Sequence, residues 1–125
     1  MGLLNRLMGN ASAVSKEELT KKYARLFTES ETVDFGFKLI RDTFIFTSKR
    51  LILIDVQGLT GSKVEYMSLP YKSISRFSLE SSGTFDLDAE LKIWISSATE
   101  PSVSKKFNKK IDVYEVQKYL ADKVG

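Results

Sequence analysis

The 125-residue chain contains no histidine and no cysteine. Without imidazole there is no histidine general base, and without a thiol there is no thiolate nucleophile, no disulfide and none of the usual zinc ligand sets. Lack of cysteine also suits a reducing compartment, and a cytoplasmic protein is expected. Charge of either sign is in short supply as an excess: the net charge is only +3. A pI near 9.1 therefore marks a modest Lys/Arg surplus, not a polybasic protein, and no nucleic-acid partner is implied. No apolar run approaches the roughly 18 residues of a membrane-spanning helix. The start, MGLLNRLMGNASA, has small residues at Ala11 and Ala13 but no cationic segment before Leu3, and Asn5 and Arg6 interrupt its apolar stretch, so it does not read as an export signal. Arg6 stands where N-myristoylation at Gly2 would want Ser or Thr.

What is present is a change of hydrophobic period. Leu3, Leu4, Leu7 and Met8 fall on one side of a short helix that Gly9 and Asn10 end. A second helix opens at Ser15, where Ser15-Lys16-Glu17-Glu18 fits a capping box; its apolar stripe is Leu19, Tyr23, Leu26 and Phe27, with Lys16, Lys21, Lys22 and Arg25 opposite. From residue 32 the period becomes two. Val33, Phe35, Phe37 and Leu39 alternate with Asp34, Gly36 and Lys38, and Arg41-Asp42 forms the turn. Further strands are expected over 44–47, 50–56, 63–69 (stopped by Pro70), 74–79, 91–96 and 103–107. The LILI run at 51–54 asks for burial on more than one side. An amphipathic helix over 112–124 follows, with Asp112 at its N-cap and Val113, Val116, Tyr119, Leu120 and Val124 on one face. The expected architecture is mainly β: seven short antiparallel strands closing into a barrel capped by the C-terminal helix. Residues 1–30 form a helical extension, and 31–125 form the single folded unit.

Three ungapped segments carry a resemblance: FKLIRDTFIFTSKRLILID (37–55), KVEYMSLPYKSISRFS (63–78) and GTFDLDAELKIWIS (83–96). With the MGLLNRLMGNAS start and the DVYEVQKYL helix, they resemble the bacterial pleckstrin-homology-like family of small single-domain proteins along essentially the whole chain. The resemblance implies a seven-stranded barrel with a C-terminal helix, assembly into a closed ring of five subunits, protein–protein interaction as the role, and no enzymatic activity. A ring needs a heterologous interface, with one patch on each protomer meeting a different patch on the next.

Each candidate site competes with a plainer role. Headgroup-binding pleckstrin-homology domains cluster cations around the turn between the first two strands; Lys38 and Arg41 match in part, with Thr43 where another cation belongs. In SKKFNKK, Lys105, Lys106, Lys109 and Lys110 make the densest basic run, yet alternation divides them between two faces. Asp86, Asp88 and Glu90 form a D-x-D-x-E series without the spacing of a calcium loop or a visible acid–base cleft, so neither metal nor hydrolytic chemistry is assigned. Trp94 alternates away from Leu91, Ile93 and Ile95, and either covers the barrel under an N-terminal helix or anchors a subunit contact. The Leu3, Leu4, Leu7 and Met8 stripe poses the same choice.

The expectation is a non-enzymatic scaffold that binds itself as a ring and engages an unidentified protein partner. It has no catalytic residue, cofactor or metal. Arg41, Asp42, Ser81, Ser82, Thr84, Asp86 and Asp88 are the candidate partner surface, and Leu3, Leu4, Leu7, Met8 and Trp94 the candidate oligomer contacts. The alternative is a peripheral membrane module that binds anionic lipid through Lys38, Arg41 and the 105–110 run.

Overall fold

The computed structural model describes residues 13–39, 41–81, 88–108 and 113–124. In chain order these form β1 (Ala13–Val14), α1 (Lys16–Lys22), a 3-10 turn (Ala24–Leu26), β2 (Val33–Lys38), β3 (Asp42–Thr47), β4 (Arg50–Gln57) and β5 (Lys63–Pro70). A second 3-10 turn (Tyr71–Ser73), β6 (Ile74–Ser81), β7 (Asp88–Ile95), β8 (Val103–Asn108) and α2 (Val113–Val124) follow. The seven expected strands are all present as β2 to β8, and β1 adds a two-residue strip beside Gly36 and Phe37. The chain divides into two compact units, Met1–Leu69 and Pro70–Gly125.

In the first unit the sheet runs β1-β2-β3-β4-β5. α1 begins with the serine half of the expected capping box, the Ser15 hydroxyl accepting from the Glu18 N–H at 3.1 Å. It stops after seven residues, and Leu26 and Phe27 reach the core from the 3-10 turn and the residue after it, not from a continued helix. Both sheet faces are apolar. On one face Leu19 packs with Val33, Ile45, Ile52 and Ile54, and Val14, Tyr23, Leu26 and Phe27 close around them. On the other, Phe35, Phe37, Phe44 and Phe46 are fully buried and stacked, Phe35 on Phe46 at 4.5 Å and Phe37 on Phe44 at 5.0 Å between ring centroids. The burial of all four residues 51–54 meets the two-sided expectation for the LILI run.

Two details depart from simple alternation. A bulge between Val33 and Phe35 in the β2–β3 pairing separates them, so Val33 joins the cluster under α1 while Phe35 joins the ring stack. Asp42, expected in a turn, opens β3 instead. The Leu39 N–H donates to its carbonyl at 2.8 Å and draws the strand start back by two residues, and pairing with Asp55 in the ladder leaves it buried.

In the second unit β6-β7-β8 form an antiparallel sheet. Leu91, Ile93, Val103 and Phe107 are buried, and alternation along β7 leaves Lys92 and Trp94 on the other side. α2 buries Val116 and Leu120, and its Tyr119 ring meets Tyr71 edge-on at 6.2 Å.

Candidate functional site

Three places in the described residues could carry chemistry or recognition. The first is an ion pair with a buried carboxylate. Glu31, just before β2, accepts from the Thr28 N–H (3.1 Å), the Thr47 hydroxyl (2.6 Å), Arg50 Nε (2.8 Å) and Arg50 Nη2 (3.0 Å). Arg50 also donates to the Leu26 carbonyl at 2.6 Å and to Ser68 Oγ at 2.8 Å. The hydrogen bond from Arg50, opposed by burial and helped by Thr47 and Thr28, lowers the Glu31 carboxyl to about 2 and raises the Arg50 guanidinium. A perturbed carboxyl often marks an active site. Here every acceptor is matched to a donor within the fold, and the pair ties the 3-10 turn, β3, β4 and β5 together as a clamp.

The second is a basic pocket of about 290 Å3 in the first unit. Lys22 comes from the end of α1, Lys38 from the end of β2 and Arg41 from the connection into β3; Thr43, Ile54 and Tyr23 line the same space. Thr43 and Ile54 are ladder partners, which places the pocket on the α1-bearing side of the sheet, away from the phenylalanine stack. The Arg41 guanidinium donates to the Gly58 carbonyl, and its own carbonyl accepts from the Val56 N–H at 3.1 Å, so the residue is anchored at both ends. The sequence reading paired Lys38 with Arg41 but put Lys22 on a solvated helix face. No local pattern could have joined it to residues 16 and 19 positions away.

The third is β5, the last strand of its sheet. Its first four residues are exposed, including Val64 at 40 % and Tyr66 at 53 %, and Leu59 in the preceding loop is fully exposed. That loop turns on Gly58 and Gly61, both at positive φ (84° and 71°), where a side chain would be strained.

Of the residues singled out from sequence, Arg41 is exposed and Asp42 is buried in β3, so Asp42 leaves the accessible surface. Ser81 ends β6 opposite Ala89, and Asp88 opens β7 opposite Asn108. Ser82, Thr84 and Asp86 lie outside the described residues, as do Leu3, Leu4, Leu7, Met8, Lys109, Lys110 and Asp112. Trp94 is half-buried under the Arg76 guanidinium, 4.3 Å above its ring, and its indole N–H donates to the Thr99 carbonyl at 3.3 Å. Lys105 sits opposite Leu91 and Lys106 opposite Glu90, so these two lysines fall on different faces. Glu90 accepts from Ser104 Oγ at 2.5 Å. Among the described residues no group of three or more acidic side chains is placed to hold a metal ion, and no helix is long and apolar enough to cross a membrane.

Seven antiparallel strands in two sheets, followed by a helix, define a pleckstrin-homology fold. Residues 2–124 match the family described as bacterial PH domain, and the chain belongs to that family. It is 54 % identical over 121 residues, 97 % of each chain, to the protein named "Uncharacterized protein YjqA" of Bacillus subtilis (strain 168). It is similar to the solved structure of a DUF1696-family protein with a pleckstrin-homology domain from Shewanella loihica. That similarity has a TM-score of 0.82 and 46 % identity and covers 94 % of this chain and 99 % of that one. A pleckstrin homology domain from Shewanella amazonensis SB2B matches with a TM-score of 0.80 and 48 % identity over 99 % of both chains.

Proposed function

We propose that the chain is a non-enzymatic, cytoplasmic interaction module that assembles into a closed five-subunit ring and presents repeated sites to a protein partner. The observation that carries this reading is β5. Natural edge strands are usually shielded by charge, proline or a covering element, because open backbone groups recruit other strands. β5 carries Lys63, Glu65 and Pro70, yet it also sets Val64 and Tyr66 in the open, beside a fully exposed Leu59. Such a strip fits one side of a heterologous contact, which a ring uses in every subunit. Around the ring, identical weak sites act together: once one is engaged the others bind at high effective concentration. Arg41 and the connection from Ser81 to Asp88, with Ser82, Thr84 and Asp86, remain the proposed partner surface. Trp94 and the Leu3, Leu4, Leu7 and Met8 stripe are proposed as further subunit contacts.

Light scattering on a size-exclusion column tests the assembly. The full chain is expected near five times its 14.2 kDa mass. The Tyr66→Lys variant and a chain lacking residues 1–13 are expected to run smaller. A monomer at every concentration would sink the ring and the multivalency with it.

A further inference from the structure

The Glu31–Arg50 pair does something that joining strands does not require. Arg50 Nη2 donates to the Leu26 carbonyl at 2.6 Å and Glu31 Oε1 accepts from the Thr28 N–H at 3.1 Å, so the two halves of the pair pin the residues on either side of Phe27. Phe27 is half-buried against the cluster under α1, and it also lines a cleft of about 570 Å3 between α1 and the segment that leads into β2. Ala24 and Val33 extend the apolar lining, and α1 contributes Lys16, Glu17 and Lys21. Apolar groups of similar volume often stabilise a fold as well as such an ion pair does. What this pair adds is position. It fixes one wall of the cleft in advance, which spares a ligand the cost of ordering it.

Two features of the lining select the ligand. The first is that its polar groups are largely matched within the fold. The Glu31 N–H donates to the Thr28 carbonyl at 3.2 Å, the Thr32 N–H to Ser48 Oγ at 3.1 Å, the Ser48 N–H to the Thr32 carbonyl at 2.8 Å and the Thr20 hydroxyl to the Lys16 carbonyl at 2.6 Å. An added peptide strand needs such backbone groups open, so the cleft suits a hydrocarbon body instead. The second is charge. Arg50 neutralises Glu31, which leaves Lys16 and Lys21 against Glu17, an excess of one positive charge. We infer that this cleft binds an amphipathic monocarboxylate, with its hydrocarbon body on Ala24, Phe27 and Val33 and its carboxylate toward Lys16 and Lys21. One carboxylate balances the one excess charge, where a doubly charged group would overshoot it. The volume lies within the roughly 300–1,000 Å3 common to small-molecule sites. Every lining residue belongs to the first unit, so the site needs no neighbouring subunit and stands whether or not the chain forms a ring.

Amide chemical-shift titration of the full chain with octanoate tests the site. Acetate serves as the charge without the body, and octylamine, cationic at neutral pH, as the body with the opposite charge. Saturable shifts with octanoate are expected at Ala24, Phe27, Thr28 and Val33, with no saturation by acetate and weaker binding of octylamine. Ala24 is exposed, so Ala24→Phe can fill the cleft without disturbing the core, and it should abolish binding. Lys16→Gln and Lys21→Gln should each weaken it roughly threefold, the scale of an exposed ion pair. Lys49→Gln, which removes an exposed lysine in the β3–β4 turn, should leave it unchanged. Glu31→Gln frees the chain around Phe27 and should weaken binding with Lys16 and Lys21 both intact. No saturable response to octanoate would overturn the inference, as would a response unchanged in Ala24→Phe while the rest of the spectrum shows an intact fold. Equal affinities for octanoate and octylamine would overturn the carboxylate assignment.

Discussion

The two units solve the problem of a β-sheet in different ways. In the first, α1 and its 3-10 turn lie on one sheet face and the other carries four buried phenylalanines, so β3 and β4 are buried on both sides. Their sequence accordingly reads as apolar runs, FIF and LILI. In the second, β7 buries Leu91 and Ile93 and turns Lys92 and Trp94 the other way, and its sequence alternates. The polar side is organised by cross-strand pairs: Arg76 over Trp94, Lys92 to Glu80 at 3.6 Å, and Ser104 to Glu90. Covering a second face has a further consequence. Polar groups near that cover lose water and must be matched inside the fold, and the Glu31–Arg50 clamp belongs only to the first unit.

The contrast can be broken most strongly in the ring stack. Phe46→Ala removes a fully buried ring that stacks on Phe35, and should lower stability by about 4 kcal/mol in urea unfolding. Glu31→Gln comes next, at about 2 kcal/mol, since it leaves the half-buried Arg50 guanidinium without its counter-charge. Its pH dependence is specific. The folded carboxyl sits near 2 against an ordinary 4.5, so its contribution is complete above about pH 4.5 and disappears as pH falls toward 2. The difference in stability between wild type and Glu31→Gln should therefore shrink across that window; a constant gap would show that the clamp acts through packing alone.

Gly36→Ala probes how closely α1 approaches the sheet. A Cβ there would lie 2.7 Å from the Phe44 carbonyl oxygen and collide with the Leu19 side chain. The side chain can turn aside but the ladder carbonyl cannot, so about 1–3 kcal/mol should be lost. Smallest of all is Lys92→Gln in the second unit. The Glu80 partner is well exposed, and thermal unfolding should register no more than about 0.5 kcal/mol. A large effect there would mean that the second sheet leans on its polar face as heavily as the first leans on its cover.

Much of the fold was readable from residues close together in the chain. The seven strands and the Ser15 cap announced themselves, because pleat, turn and first-turn hydrogen bonds involve neighbours within about four residues. The bulge was not readable. Val33 and Phe35 keep their spacing of two, and only the pairing with β3 sends them to different faces. Asp42 was misplaced in a turn because a charged residue after Arg41 is ordinary turn chemistry. Its burial comes from the ladder with β4. The candidate site was half visible: Lys38 and Arg41 flank one turn, while Lys22 joins them only where α1 ends over the sheet.

Composition and period by themselves determined that this chain lacks histidine and thiol chemistry, that it folds as short strands closed by a helix, and which side of β7 is apolar. The tertiary structure alone decided that Glu31 meets Arg50 across 19 residues, that Gly36 leaves room for Leu19, and that three lysine and arginine side chains share one pocket. The physical reason is the range of the forces involved. Backbone hydrogen bonding and side-chain alternation act between near neighbours, whereas a pocket's charge and shape are set by the register of segments that meet only when the hydrophobic faces beneath them are buried.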